Sequence, residues 1–116
     1  MKSPEYRDFL NNILEAINDT QAFIGGMTYE EFVKDQKTLN AVTFSIQMIG
    51  EAAKHIPKNV KTENPDFPWE KMAKMSDDLI LRYFAIDNKA LYQTATQTIP
   101  PLKAPIEKIL KNQPQT

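Results

Sequence analysis

Apolar residues along this chain recur at spacings of three and four, the period of helices with one buried face, and no stretch alternates as a half-buried strand would. A first helix is predicted from about Pro4 to Phe23, with Ser3 as cap and Tyr6, Phe9, Leu10, Ile13, Leu14 and Ile17 on its inner face. Arg7, Glu15 and Asn18 lie opposite, and Gly25-Gly26 ends the helix because glycine reaches the left-handed backbone that closes it. Thr28 with Glu31 forms a capping-box pair for a short helix through Phe32 and Val33. Asp35 then caps the longest helix, about Gln36 to His55. Its ladder of Leu39, Val42, Ile46, Ile49 and Ala53 is the seam of a helix packed lengthwise on another. Phe44 and Met48 lie off that seam and suggest a second buried face, against another subunit. Gly50 costs about 1 kcal/mol relative to alanine inside a helix, which marks a close approach of another backbone.

Ile56-Pro57 stops this helix, since proline neither donates the next bond nor tolerates a helical residue before it. The polar stretch to Pro68 reads as loop, and Pro68 to Met75 as one or two helical turns with Trp69 and Met72 inward. Ser76, Asp77 and Asp78 read as helix starters for the dense apolar block Leu79, Ile80, Leu81, Tyr83 and Phe84, with the single cation Arg82 among them. Asp87 caps a helix from Asn88 to Thr98 with Leu91, Tyr92 and Ala95 inward. Ile99-Pro-Pro-Leu-Lys103 starts the last helix, where Pro105 falls in the first turn or kinks it. The expected fold is all-α, one domain of four to five helices, up-and-down at its centre, with a mobile tail from Asn112 to Thr116.

Composition narrows the chemistry. With 116 residues, 41% hydrophobic and 25% charged, the chain makes one core of ordinary globular character. It holds no cysteine, which excludes a disulfide framework or cysteine zinc site, and no metal or cofactor is expected. No apolar run approaches the roughly 20 residues that cross a bilayer, and the start lacks a signal-peptide core, so the expected location is the cytoplasm. The net charge of −1 does not mark a dedicated nucleic-acid binder, but it is unevenly spread. Residues 1–35 carry 3 basic and 7 acidic side chains; the remainder carries 11 and 8. Lys54, Lys58, Lys61, Lys71 and Lys74 form either a phosphate-facing surface or a solvated lysine face. The only histidine, His55, lies at a helix C-terminus and reads as a capping or solvent-facing residue.

The stretch Met75-Ser-Asp-Asp-Leu-Ile-Leu-Arg-Tyr-Phe-Ala-Ile-Asp87 resembles the signature of the HepT-like family of HEPN-domain proteins, whose usual form runs Met-Arg-Asn-x-Leu-x-His-x-Tyr-Phe-x-x-Asp. Met75, Leu79, Tyr83, Phe84 and Asp87 fall in register and Asp77 stands for asparagine, while Ser76 takes the arginine position and Leu81 the histidine position. Met48-Ile-Gly-Glu-Ala-Ala-Lys-His-Ile-Pro57, the Pro68-Trp69 pair and the Ile99-Pro-Pro-Leu-Lys103 segment extend the resemblance to roughly residues 6–111. It implies a dimeric ribonuclease toxin, paired with a MntA-type nucleotidyltransferase antitoxin that places AMP on the tyrosine at position 83. It also sets Glu51 beside the active cleft; a plain surface glutamate is the competing reading.

Metal-independent RNA cleavage needs a group that moves a proton near neutrality and a cation that holds phosphate, the work of histidine and arginine. Ser76 carries no positive charge and Leu81 moves no proton. Arg82 is about 100° around a helix from position 81, so it does not inherit the site, though a displaced phosphate clamp stays open. Tyr83 stays open between AMP acceptor and aromatic core residue. Three functions compete: a catalytically degenerate HepT-like homologue that binds or regulates, an active ribonuclease using displaced residues, and a structural interaction module.

Overall fold

The computed structural model describes residues 6–81 and 87–112, with side chains through Leu79 in the first span. Helix α1 (Tyr6–Ile24) ends on Gly25 at φ 52°, the left-handed position the sequence assigns to it. Helix α2 (Tyr29–Lys34) carries the complete capping box of Thr28 and Glu31. Asp35 caps α3 (Gln36–Ala53) through the Thr38 amide, and that contact holds its carboxyl below the ordinary range. Helix α4 (Lys58–Glu63) follows, then α5 (Trp69–Leu81), α6 (Asn88–Gln93) capped by Asp87, and α7 (Lys103–Lys111). A wide π-type turn at Thr94–Thr98 and a 3₁₀ turn at Pro100–Leu102 join α6 to α7. No strand occurs among the described residues, and the all-α bundle stands as expected.

The core is the sum of the predicted stripes. Leu10, Ile13 and Ile17 of α1 meet Val42, Ile46 and Ile49 of α3, all fully buried, and Ile106 of α7 closes one side. The Phe9 ring lies against His55, so the start of α1 packs beside the end of α3 and the two helices run antiparallel. Arg7, expected on the outer face, is half-buried and donates to the Leu110 carbonyl at 3.3 Å, tying α1 to α7. Tyr92 donates to the Met27 carbonyl at 2.7 Å while its ring packs on Tyr29 and Phe32, which pins α6 to α2.

Two local expectations are corrected. The stretch before Pro68 is not all loop: α4 forms within it because Val60 finds a buried seat. More consequentially, Ser76, Asp77 and Asp78 do not start a helix but sit inside the unbroken α5. Trp69 anchors the start of α5, its ring buried against Phe67 and its indole donating to the Asn64 carbonyl at 2.9 Å. From there Met72 and Ser76, one turn apart, face α3, and burial of that face outweighs the weak helix propensity of Ser-Asp-Asp.

Gly50 makes this packing possible. A side chain added at Gly50 would fall inside van der Waals contact of the Met72 carbonyl oxygen and of Ser76 Cβ. Gly50→Ala should therefore lose about 1–2 kcal/mol in urea denaturation, since overpacking against backbone outweighs the gain in helix propensity of about 1 kcal/mol. Gly26→Ala, where the added methyl meets open space, should change stability by less than about 0.5 kcal/mol.

Candidate functional site

The contact between α3 and α5 assembles four of the residues that carry the sequence motif or flank it. Thr20, Ser45 and Ser76 are the buried polar side chains among the described residues, and their hydroxyls are satisfied differently. Thr20 and Ser45 donate to carbonyls four residues back in their own helices, a local solution open to any helical hydroxyl. Ser76, with no exposed surface, instead donates across the interface to Glu51 Oε1 at 2.8 Å. The same carboxylate oxygen accepts from Lys54 Nζ at 2.9 Å, and that ammonium also binds Asp77 Oδ1. Glu51 and Lys54 are three apart on α3, and Ser76 and Asp77 are consecutive on α5, so adjacent turns bring all four together.

The electrostatics follow from this arrangement. Hydrogen bonding to Lys54 and then to Ser76 holds the Glu51 carboxyl below its ordinary value of 4.5. Lys54 is held above its ordinary range by Asp77 and Glu51. Two carboxylates against one ammonium leave the cluster one charge negative. Lys54, one of the five lysines that read as either a phosphate-facing surface or a solvated lysine face, is thus ion-paired with two carboxylates. With Glu51 and Lys54 side chains 35% and 34% exposed, water screens the pair and its worth to stability is modest.

Glu51, Asp77 and Ser76 therefore meet at the α3/α5 contact, with Glu51 accepting from the position that resembles the motif arginine. Leu81 closes α5; its side chain, Arg82 and Tyr83 lie outside the described residues. Positions 76 and 81 share the unbroken α5, which sets them about 140° apart around the axis and about 7.5 Å along it. His55 is exposed beyond the end of α3, four residues from Glu51, and stacks on Phe9 with ring centres 4.5 Å apart. The role of Lys54 was legible in part: the Glu51-x-x-Lys54 spacing signals an ion pair, but nothing local places Asp77 beside it.

Comparison with known proteins agrees with the family resemblance. The model of the ribonuclease HepT-like family matches residues 13–109. The chain is 41% identical over 106 residues to a Thermococcus cleftensis protein named as a probable ribonuclease HepT, covering 91% of this chain and 96% of that one. A Methanocaldococcus jannaschii protein with a provisional RNase name is 38% identical over 112 residues, covering 97% and 93%. One from Caldanaerobacter subterraneus, similarly named, is 33% identical over 113 residues, covering 97% and 99%. No solved structure matches the chain.

The Ser76 to Glu51 bond has a pH signature. Because folding lowers the Glu51 pKa, its contribution is complete above the unfolded value near 4.5 and is lost as pH falls through the folded value. In urea denaturation, Glu51→Gln should be less stable than the natural chain at pH 6–7, and the gap should narrow below about pH 4.5. Ser76→Ala should cost about 1 kcal/mol at neutral pH; an unchanged midpoint would show that the cross-helix bond contributes nothing.

Proposed function

The chain belongs to the ribonuclease HepT-like family, and from that premise we propose that it is a catalytically degenerate member, a binding or regulatory homologue in a toxin-antitoxin module. The observation that carries the reading is the state of Ser76. Where the motif's arginine would present a guanidinium to phosphate, this chain has a fully buried hydroxyl turned onto a carboxylate. The nearest lysine is bound between Glu51 and Asp77, so the cluster repels a phosphodiester instead of clamping it. Leu81 at the histidine position contributes no group that titrates near neutrality.

The remaining parts of the reading rest on the family resemblance. The protein acts in the cytoplasm as a homodimer whose motif segments face each other across a two-fold axis, a geometry that suits a pair of positions about 140° apart on one helix. No helix among the described residues is long and apolar enough to cross a membrane. A MntA-type nucleotidyltransferase is the partner, and Tyr83 is the residue on which it places AMP. With the nuclease pair replaced, Tyr83 and the dimer surface are what such a partner still recognises.

Incubation of a labelled tRNA pool with the natural chain, with and without EDTA, should give no cleavage. A Ser76→Arg/Leu81→His variant, confirmed folded by its thermal melt, should cut in both conditions. Cleavage by the natural chain would overturn the degenerate reading and direct mutagenesis to Arg82, Tyr83 and His55. With a nucleotidyltransferase of the partner class and labelled ATP, label should transfer to the natural chain and be lost in Tyr83→Phe.

A further inference from the structure

A second feature lies on the outer side of the α1/α3 pair. Between the two antiparallel helices runs an open groove walled by Phe9 and Phe23 from α1 and by Phe44 and Met48 from α3. Phe23 and Phe44 are 42% and 61% exposed, the large apolar side chains left most open among the described residues. Both lie at one end of the groove, while the stacked pair of Phe9 and His55 closes the other. The α1 residues that line it run from 9 to 23, a length of about 21 Å, which matches roughly four turns of a third helix laid alongside. An apolar strip of this kind, rimmed by polar side chains, is the mark of an interaction surface.

The rim decides what fits. The ionisable groups that line the groove are Glu15 and Asp19 from α1 and Glu51 and His55 from α3; no lysine or arginine lines it among the described residues. A second copy on the same face, the contact expected of Phe44 and Met48, would bring Glu15 and Asp19 of each chain towards the same two of the other across the two-fold axis, Glu51 being paired with Lys54. RNA would meet the same carboxylates with its phosphates. A helix carrying lysine or arginine beside an apolar stripe meets opposite charge at Glu15 and Asp19 and aromatic faces suited to a cation at Phe9, Phe23 and Phe44.

We propose that the α1/α3 groove is the docking site for a basic amphipathic helix of a partner protein. The inference goes beyond the reading of the motif and does not depend on it: Ser76 can be catalytic or degenerate without altering the groove. The partner helix places apolar side chains on successive turns against Phe44, Met48 and Phe9, and its cations reach Glu15 and Asp19 from the flank. Glu51 lines the groove and also receives the Ser76 bond, so an occupied groove lies directly against the motif cluster.

Two labelled synthetic helices of four turns test this, identical in leucine spacing but with arginines or glutamates on the polar face, titrated by fluorescence anisotropy. The arginine peptide should bind the natural chain and the glutamate peptide should not. Glu15→Lys/Asp19→Lys and, separately, Phe44→Glu should each weaken binding at least tenfold with unchanged thermal melts. Glu107→Lys, an exposed charge reversal on α7, should leave it unchanged. Equal binding of both peptides, equal loss in Glu107→Lys, or unchanged affinity in the groove variants would each overturn the proposal. So would sedimentation showing a dimer that Phe44→Glu dissolves and the arginine peptide cannot enter, since a second copy would then cover this face.

Discussion

The close approach of α5 to α3 at Gly50 is the constraint on which the site depends. Helices with full side chains at their contact pack 8–10 Å apart; the absence of a Cβ at Gly50 lets the Met72 backbone and Ser76 Cβ settle against α3. That seating buries position 76 completely and brings it within hydrogen-bond reach of Glu51 on the next residue of α3. A buried hydroxyl must find a partner, and here the partner is an ionised carboxylate. The glycine thus acts on chemistry through geometry, fixing how deep the motif helix lies.

Depth also makes the residue type at position 76 count for more than its own charge. Glu51 and Asp77 are anions placed around position 76, and a cation at that position would neutralise them and leave positive potential over the cleft. With serine there, Lys54 serves both carboxylates and the local balance is negative. The arrangement is self-consistent as structure, with no buried side-chain polar atom lacking a partner among the described residues.

Much of the fold was legible in the sequence because it rests on period and capping, which are local. The ladder from Leu39 to Ala53, the Thr28 box, the Asp35 and Asp87 caps and the glycine stop after α1 all take the places that spacing gives them. Ser-Asp-Asp at 76–78 misleads for a physical reason: these residues favour a helix start when solvent surrounds them, and tertiary burial on α3 overrides that preference. The need for a close neighbour at Gly50 was readable from one residue, but which helix would supply it was not. Likewise Glu51 and Lys54 announce each other by spacing, whereas Asp77 reaches them from 23 positions along the chain, beyond anything periodicity reports.

Helix α3 presents three faces, and Glu51 lies where two of them meet. Its seam of Val42, Ile46 and Ile49 belongs to the core, Gly50 to the contact with α5, and Phe44 and Met48 to the open groove. Glu51 borders the groove on one side and receives Ser76 on the other. A helix so enclosed cannot rotate to improve one face without spoiling another, because the core is close-packed and the glycine contact admits no slack. A change in charge beside Glu51 in the groove therefore reaches that carboxylate, weakened by the water around it, and Ser76 is its hydrogen-bond partner. The motif cluster and the outer surface share one carboxylate, and that shared group is the shortest physical route between them.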